Sequence, residues 1–112
     1  MVLYLKWIGK SNRVYVLGKL FKDQDEFVFD IDEKELKEAI SDGCFGIGSF
    51  DLLNSEYRDK ELFDFFKKRI IGRDNPNIKE FLKSHNLNEY DEMEILKVTK
   101  AELGTDRYYV EE

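Results

Sequence analysis

The sequence predicts an α+β domain in which a small antiparallel sheet packs with about four short helices. Three observations support this prediction. The first 30 residues hold three segments rich in β-branched and aromatic side chains, the middle holds apolar residues at helical spacing, and the chain closes on another β-rich stretch. A length of 112 residues, 42% of them hydrophobic, predicts a single domain over residues 1–112 with one core.

The N-terminal third predicts a three-stranded antiparallel meander. Residues 2–8 alternate β-formers with other residues, and residues 9–12 supply turn chemistry before a second β-rich run at residues 13–21. Gly18 inside this run indicates a bulge or a close approach of two backbones. After another tight turn, residues 26–30 form the third strand.

A short helix is expected after the meander. Asp32 lies three residues before Glu35, which is the spacing of a capping box, and Gly43 can end the helix in a left-handed conformation. The apolar side of this helix is formed by Leu36, Ala39 and Ile40. Residues 43–54 then hold three glycines without helical periodicity, so we expect a loop that carries two phenylalanines.

The segment from about residue 59 to residue 71 predicts the longest helix. Phe65 lies at the border of its apolar face. Lys67, Lys68 and Arg69 fall in its last turns, where the helix dipole favours cations, and Gly72 can terminate it. The apolar face itself is formed by Leu62, Phe63, Phe66 and Ile70.

Two further helices and a strand complete the prediction. Asn75 and Pro76 are a favourable start for a helix, because proline at the first position sacrifices no hydrogen bond. Another helix begins near residues 88–91, with Met93 and Leu96 directed inward, and residues 105–111 close the domain as a strand. The face of the first of these helices is formed by Ile78, Phe81, Leu82 and His85.

No pattern of catalytic or metal-binding chemistry is found in the sequence. The acids Asp30, Asp32 and Glu33 have a spacing that a hard metal could use, but helix capping and solvation explain them better. His85 is the single histidine, and Cys44 has no activating partner in the sequence and is expected to be a small buried hydrophobe. We therefore predict a non-enzymatic protein with no catalytic residue, no metal site and no cofactor.

Composition also bears on localisation. No stretch reaches the roughly 20 apolar residues that span a bilayer, and the first residues lack the pattern of a signal peptide. One cysteine permits no internal disulfide, which fits a reducing compartment. The expectation is a cytoplasmic protein without a membrane segment.

The charge is distributed unevenly along the chain. The net charge is −6, but the first 22 residues hold five bases and no acid, so the remaining 13 bases and 24 acids give −11. A nucleic-acid reader normally pools its positive charge on one face, which disfavours nucleic acid as a partner. Two alternatives remain open: an acidic mimic of nucleic acid that binds a DNA-binding protein, and direct nucleic-acid binding through the basic N-terminal hairpin.

Four aromatic residues fall outside the clearest core stripes: Trp7, Phe45, Phe50 and Tyr57. Three of them belong to a glycine-bearing segment, and binding residues concentrate on such loops. Aromatic anchors dominate many protein interfaces. These four residues are the predicted partner-binding residues, with the alternative that they fold back over the core.

The order of these elements resembles the N-terminal subdomain of HipA-type toxin kinases. The likeness depends on the opening strand pair and on the terminal strand, together with three quoted stretches: Leu17-Gly18-Lys19-Leu20, Phe27-Val28-Phe29 before a short helix, and Leu62-Phe63-Asp64-Phe65-Phe66 in the first long helix. The second half also resembles the N-terminal module of bacterial HIRAN-domain proteins. The parallel positions are Phe50-Asp51-Leu52, Tyr57, Glu61-Leu62-Phe63, Arg69-Ile70-Ile71, Asn75-Pro76, Phe81-Leu82, Ile95-Leu96 and Thr105-Asp106.

The resemblance implies an interaction module rather than an enzyme. HipA-type proteins continue into a kinase body and HIRAN proteins into a DNA-end-binding domain, and this sequence contains neither. Residues 46–53 also replace the serine-proline-rich loop of the HipA pattern. In tripartite toxin–antitoxin systems, a separately encoded HipA-N-like protein restrains the kinase. The resemblance thus implies a regulatory protein whose partner is a HipA-like kinase.

Overall fold

The computed structural model describes residues 1–50, 55–104 and 106–112. Within these residues a five-stranded antiparallel sheet packs with four helices, which confirms the predicted α+β class. No helix in this part of the chain is long and apolar enough to cross a bilayer. The elements in chain order are β1 (Val2–Ile8), β2 (Val14–Asp23), β3 (Glu26–Ile31), α1 (Glu33–Ser41), β4 (Glu56–Asp59), α2 (Asp64–Lys67), α3 (Ile78–Ser84), α4 (Glu92–Thr99) and β5 (Tyr108–Glu111).

The predicted meander forms the centre of the sheet, whose strand order is β4-β3-β2-β1-β5. The first turn is closed by two hydrogen bonds: the Gly9 amide donates to Arg13 O at 2.9 Å, and the Asn12 amide donates to Gly9 O at 2.9 Å. Asn12 adopts the left-handed conformation that this turn requires (φ 66°). The terminal strand β5 returns to pair with β1, as predicted.

Gly18 is both the bulge and the close approach that the sequence predicts. Leu5 pairs with Gly18 but Lys6 pairs with Val16, so Leu17 is the extra residue. A methyl group on Gly18 would lie 2.6 Å from the carbonyl oxygen of Asp30. The extra residue shifts the alternation along β2, which lets side chains before and after the bulge enter the same core.

The sheet has two unlike faces. The inner face carries the core, and the buried residues of the helices pack against it. The outer face carries the alternate residues of each strand, among them Tyr4 on β1, Lys19 on β2 and Val28 on β3. The inner-face members of the core are Leu3, Leu5, Trp7, Tyr15, Leu17, Leu20, Phe27, Phe29, Ile31 and Val110.

Helix α1 begins at the capping residue that the sequence predicts, and α4 begins at the end of the range expected for its start. The Asp32 carboxylate accepts a hydrogen bond from the Glu35 amide at 3.0 Å, and α1 follows. At α4, the Asp91 carboxylate accepts from the Glu94 amide at 3.1 Å. The inward residues of α4 are buried as predicted, whereas Ile40 on α1 is 43% exposed.

The predicted helix over residues 59–71 is wrong in extent. The structure has a strand, β4, at Glu56–Asp59 and only a four-residue helix, α2, at Asp64–Lys67. The chain before α2 is extended because β4 pairs with β3, and Phe63 still has extended dihedrals (φ −61°, ψ 144°). The helix stops at Lys67 rather than at Gly72, because the next turn tightens and directs Arg69 into the interior.

The remaining boundaries differ less from the prediction. The helix expected at Asn75 and Pro76 begins at Ile78, after the Asn75 side chain accepts a hydrogen bond from the Asn77 amide at 2.9 Å. The terminal strand begins at Tyr108. Residues 51–54 of the predicted loop, and Thr105 of the predicted strand, lie outside the described residues.

Replacing Gly18 by alanine should destabilise the protein by about 1–3 kcal/mol, because the added methyl group must displace the backbone of β3. Urea denaturation followed by circular dichroism measures this change. Gly72→Ala is the matched control, because nothing lies within 4 Å of its added carbon. The control should change stability by less than about 0.5 kcal/mol, and an equal effect in both variants would contradict the close approach.

Candidate functional site

The loop after α1 is anchored at several points along residues 43–50. Gly43 adopts φ +103° and ends the helix, as predicted. The Cys44 amide donates to Ala39 O at 3.0 Å, and the Cys44 side chain is buried, as expected. Ile47 is fully buried, and the Phe50 amide donates to Ile47 O at 3.0 Å. The loop is therefore packed against the domain at its start and at its end.

Phe45 is the exception within this anchored loop, because its side chain is fully exposed to solvent. It lies between buried Cys44 and Gly46, whose φ of +91° is a conformation that L side chains rarely adopt. A methyl group at Gly46 would meet nothing within 4 Å, so the backbone conformation rather than space accounts for this glycine. The turn therefore keeps the Phe45 ring in solvent.

Tyr108, the first residue of β5, holds the tip of the loop in place. Its hydroxyl donates to the Gly46 carbonyl and lies 3.4 Å from the Cys44 sulfur. Burial, followed by the neighbouring Cys44 thiol, raises the pKa of Tyr108 well above its usual range. The hydroxyl is protonated at physiological pH, as any tyrosine is, and the raised pKa keeps it a donor to the loop in alkaline solution as well.

Tyr108 is in turn positioned by Arg69, whose side chain is only 4% exposed. The Arg69 guanidinium lies over the rings of Phe65, at 4.6 Å, and Tyr108, at 5.2 Å. It donates to Ala101 O at 2.9 Å and forms an ion pair with the Asp106 carboxylate. One cation thus joins the end of α2, the chain after α4 and the start of β5.

The burial of Arg69 corrects the prediction that places it on a helix surface. The sequence assigns it to the dipole of a long helix, together with Lys67 and Lys68, which are indeed exposed. Its partner Asp106 lies 37 residues further along the chain. The residues around Arg69 in the sequence do not distinguish it from Lys67 and Lys68. Its burial depends on contacts with residues far along the chain, and these cannot be read from its neighbours.

The four predicted partner-binding aromatics do not form one surface. Trp7 is 6% exposed and packs in the core, with its ring 5.9 Å from Tyr15. Phe50 packs against Phe29, at 5.0 Å between ring centroids, and against Tyr57, at 4.8 Å. Of the four, Phe45 alone is fully exposed.

The basic hairpin is partly neutralised by neighbouring acids. The Lys6 ammonium lies 3.4 Å from Glu111, and the Arg13 guanidinium lies 2.9 Å from Glu38. Lys22 lies with its ammonium 4.9 Å from the centre of the Phe27 ring. Spread over both faces and partly paired, these bases do not provide the single positive surface that nucleic-acid binding uses.

Two of the acids considered for a metal site, Asp32 and Asp30, lie in different parts of the structure. Asp32 caps α1, as described above, and Asp30 lies on the outer face of the sheet opposite Lys19. In the described part of the chain, no group of three or more His, Cys, Asp or Glu side chains could hold a metal ion.

Comparisons with protein-family models, with curated proteins and with solved structures found no match for this chain. The likeness to the HipA N-terminal subdomain and to the HIRAN module therefore remains a prediction from the residues that carry it.

Replacing Arg69 by methionine should destabilise the protein by about 2 kcal/mol, because it removes the buried hydrogen bond to Ala101 O and the contacts of the guanidinium with two rings. Loss of the ion pair adds less, since the Asp106 carboxylate is partly exposed to water. Thermal and urea denaturation measure this loss. Lys68→Met is the matched control, since Lys68 is adjacent and exposed, and it should change stability by less than about 0.5 kcal/mol. A loss below about 1 kcal/mol in Arg69→Met would contradict the role given to this guanidinium.

Proposed function

We propose that this domain is a non-enzymatic interaction module that docks on a partner protein and regulates it, and that the partner is a HipA-like kinase. The observation that carries the docking proposal is the fully exposed ring of Phe45 on an anchored loop. The family of the partner comes from the resemblance of the sequence to the HipA N-terminal subdomain.

The anchored loop supports docking for an energetic reason. Binding through a mobile loop loses conformational entropy, whereas a loop held in its bound shape avoids most of that cost. Cys44 and Ile47 are buried on either side of Phe45, and the Tyr108 hydroxyl holds the intervening carbonyl of Gly46. Phe45 can therefore enter an apolar pocket of a partner without reorganising its own backbone.

The exposure of Phe45 also indicates that this side chain contributes to binding rather than to the stability of the fold. A phenylalanine that contributes to the core is buried, as Phe29 and Phe66 are here. A ring held in water contributes nothing to core packing, and its burial by a partner would remove apolar surface from solvent. Aromatic side chains of this kind are the common anchors of protein interfaces.

Affinity capture from the native cell, with bound proteins identified by mass spectrometry at low and high salt, tests the identity of the partner. A HipA-like kinase retained at high salt is the expected result, because an apolar anchor is not screened by ions. Capture of DNA-binding proteins alone, lost as salt rises, would instead favour the acidic-mimic alternative, which the charge of −11 over residues 23–112 motivates.

Replacing Phe45 by alanine should weaken the complex with the partner by about 30-fold or more, corresponding to an anchor worth about 2 kcal/mol. The stability of the isolated domain should stay unchanged, because the ring touches no core residue when fully exposed. Isothermal titration calorimetry and thermal denaturation measure the two effects separately.

Two further variants serve as controls for this prediction. Ile40→Ala removes another exposed apolar side chain, on α1, and should leave the affinity unchanged. Phe50→Ala removes a half-buried ring from the core contacts of Phe29 and should lower stability, so it is unsuited to testing binding. A complex that tolerates Phe45→Ala as well as it tolerates Ile40→Ala would refute the anchor.

A further inference from the structure

The two edges of the sheet differ in how their backbone groups are satisfied. At the β5 edge, the amides that point away from β1 belong to Tyr108 and Val110. The Tyr108 amide donates to the Asp106 carboxylate at 3.3 Å. The Val110 amide donates to Lys100 O at 2.8 Å. Acceptors from the chain after α4 therefore close this edge.

The β4 edge is open within the part of the chain that the structure describes. The Ile31 amide donates to Ser55 O at 2.6 Å, so the alternation of an antiparallel ladder fixes which residues of β4 bond to β3. The amides and carbonyls of Glu56 and Arg58 point the other way, out of the sheet. Among the described residues, none of these four backbone groups has a hydrogen-bond partner.

Three carboxylates surround a single guanidinium on the outer side of this edge. The Arg58 side chain lies 2.8 Å from Glu56 and 3.1 Å from Asp23. It also lies 3.9 Å from Glu26. One cation cannot neutralise three anions, so the outer side of the edge keeps an excess of negative charge.

A hollow of about 350 Å³ lies beside β4 on the inner side. Tyr57, which pairs with Phe29 of the inner face, is one of its lining residues. The Phe50 ring, which also lines it, lies 4.8 Å from the Tyr57 ring and 5.4 Å from the Phe63 ring. The acids that line the hollow are Asp59, Glu61 and Asp64. The hollow thus combines aromatic rings with carboxylates.

Acidic charge is concentrated at this corner of the sheet. Residues 22–26 and 56–64 hold seven acids and three bases, so they carry −4 of the net charge of −6. Charged side chains on an edge strand usually prevent pairing with another copy of the same chain. Here the acids repel an equally acidic edge, but they attract a strand that carries cations.

We propose that β4 binds an extended segment of a partner protein, which alternates basic with apolar residues and adds to the sheet as a sixth strand. Glu56 and Arg58 supply the backbone donors and acceptors, as open sheet edges do in other complexes formed by strand addition. Successive side chains of a strand point to opposite sides. The basic residues therefore face the carboxylates around Arg58, and the apolar residues face the aromatic hollow.

The proposed strand site is separate from Phe45. Tyr108 of β5 holds the turn next to Phe45, whereas β4 is the opposite edge of the sheet. Strand addition at β4 therefore does not depend on the proposed docking through Phe45.

Titration of the ¹⁵N-labelled protein with a synthetic peptide tests the proposal. The probe is an acetylated and amidated hexapeptide of alternating lysine and valine, added up to about 1 mM because an edge of four residues offers few hydrogen bonds. The amides of Glu56 and Arg58 should shift and become protected from hydrogen exchange, since they then donate to the peptide. The same peptide with glutamate in place of lysine should bind about tenfold more weakly or worse.

Two methylated peptides distinguish strand addition from general attraction between opposite charges. One carries methyl groups on the backbone nitrogens of its lysines, and the other carries them on those of its valines. Both keep every charge, but the backbone nitrogens of alternate residues point to opposite edges of a strand. One peptide should therefore bind about tenfold more weakly or worse, while the other keeps its affinity.

A change in the protein tests the charge complementarity. Glu56→Lys should weaken binding of the lysine-valine peptide by about tenfold or more, because it reverses a charge at the edge. Glu80→Lys is the matched control, an equal change at an exposed residue of α3, and it should leave binding unchanged. The melting temperature of each variant shows whether the fold is kept.

The absence of binding at the highest peptide concentration would overturn the proposal. So would shifts that leave β4 unaffected, or equal binding by the two methylated peptides. Protection of the Glu56 and Arg58 amides that rises with protein concentration without peptide would assign the edge to a second copy instead. These measurements use the isolated chain and leave Phe45 untouched. Their failure would therefore not affect the docking proposal, and loss of docking would not affect strand addition.

Discussion

The arrangement of the C-terminal half of the described structure depends on the buried contacts of the Arg69 guanidinium. A cation removed from water must find compensating partners, and Arg69 finds a carboxylate, a backbone carbonyl and two aromatic rings. These partners come from three separate parts of the chain. Because Arg69 is satisfied in one arrangement of those parts, it fixes how α2, the chain after α4 and β5 meet.

The position of Phe45 follows from that arrangement. Arg69 positions Tyr108, the Tyr108 hydroxyl holds the Gly46 carbonyl, and Gly46 sets the turn that keeps Phe45 in solvent. The bulge within β2 has a comparable effect on the sheet. It keeps one face for the core, while Lys19 on β2 and Asp30 on β3 remain on the other face. Contacts in the interior thus determine which side chains are exposed at the loop and on the outer face of the sheet.

Sequence patterns predict those elements whose formation depends on residues close together in the chain. Asp32 and Asp91 begin helices because each side chain caps an amide three residues away. The meander is predictable from alternation and turn residues, and the bulge from the place of Gly18 within a strand. The α+β class follows from the order of these elements.

The errors arise where distant residues decide the structure. The strand β4 is not predicted because Glu56, Arg58 and Asp59 are charged and show no apolar alternation, and it forms by pairing with β3. The same pairing removes the first part of the expected long helix. The burial of Arg69 also depends on long-range partners, which spacing along the chain does not reveal. The sequence alone leaves the exposure of Phe45 as one of two alternatives, because its neighbours are placed only by the fold.

The central claim is that Phe45 is displayed by a loop that is ordered before any partner binds. Backbone ¹⁵N relaxation of the isolated protein measures this most directly at the amides of Cys44 to Ile47. The account predicts order parameters of about 0.8 or more, close to those of rigid backbone, and lower values in Tyr108→Phe. Order parameters below about 0.6 in the unchanged protein, typical of a flexible segment, would contradict it.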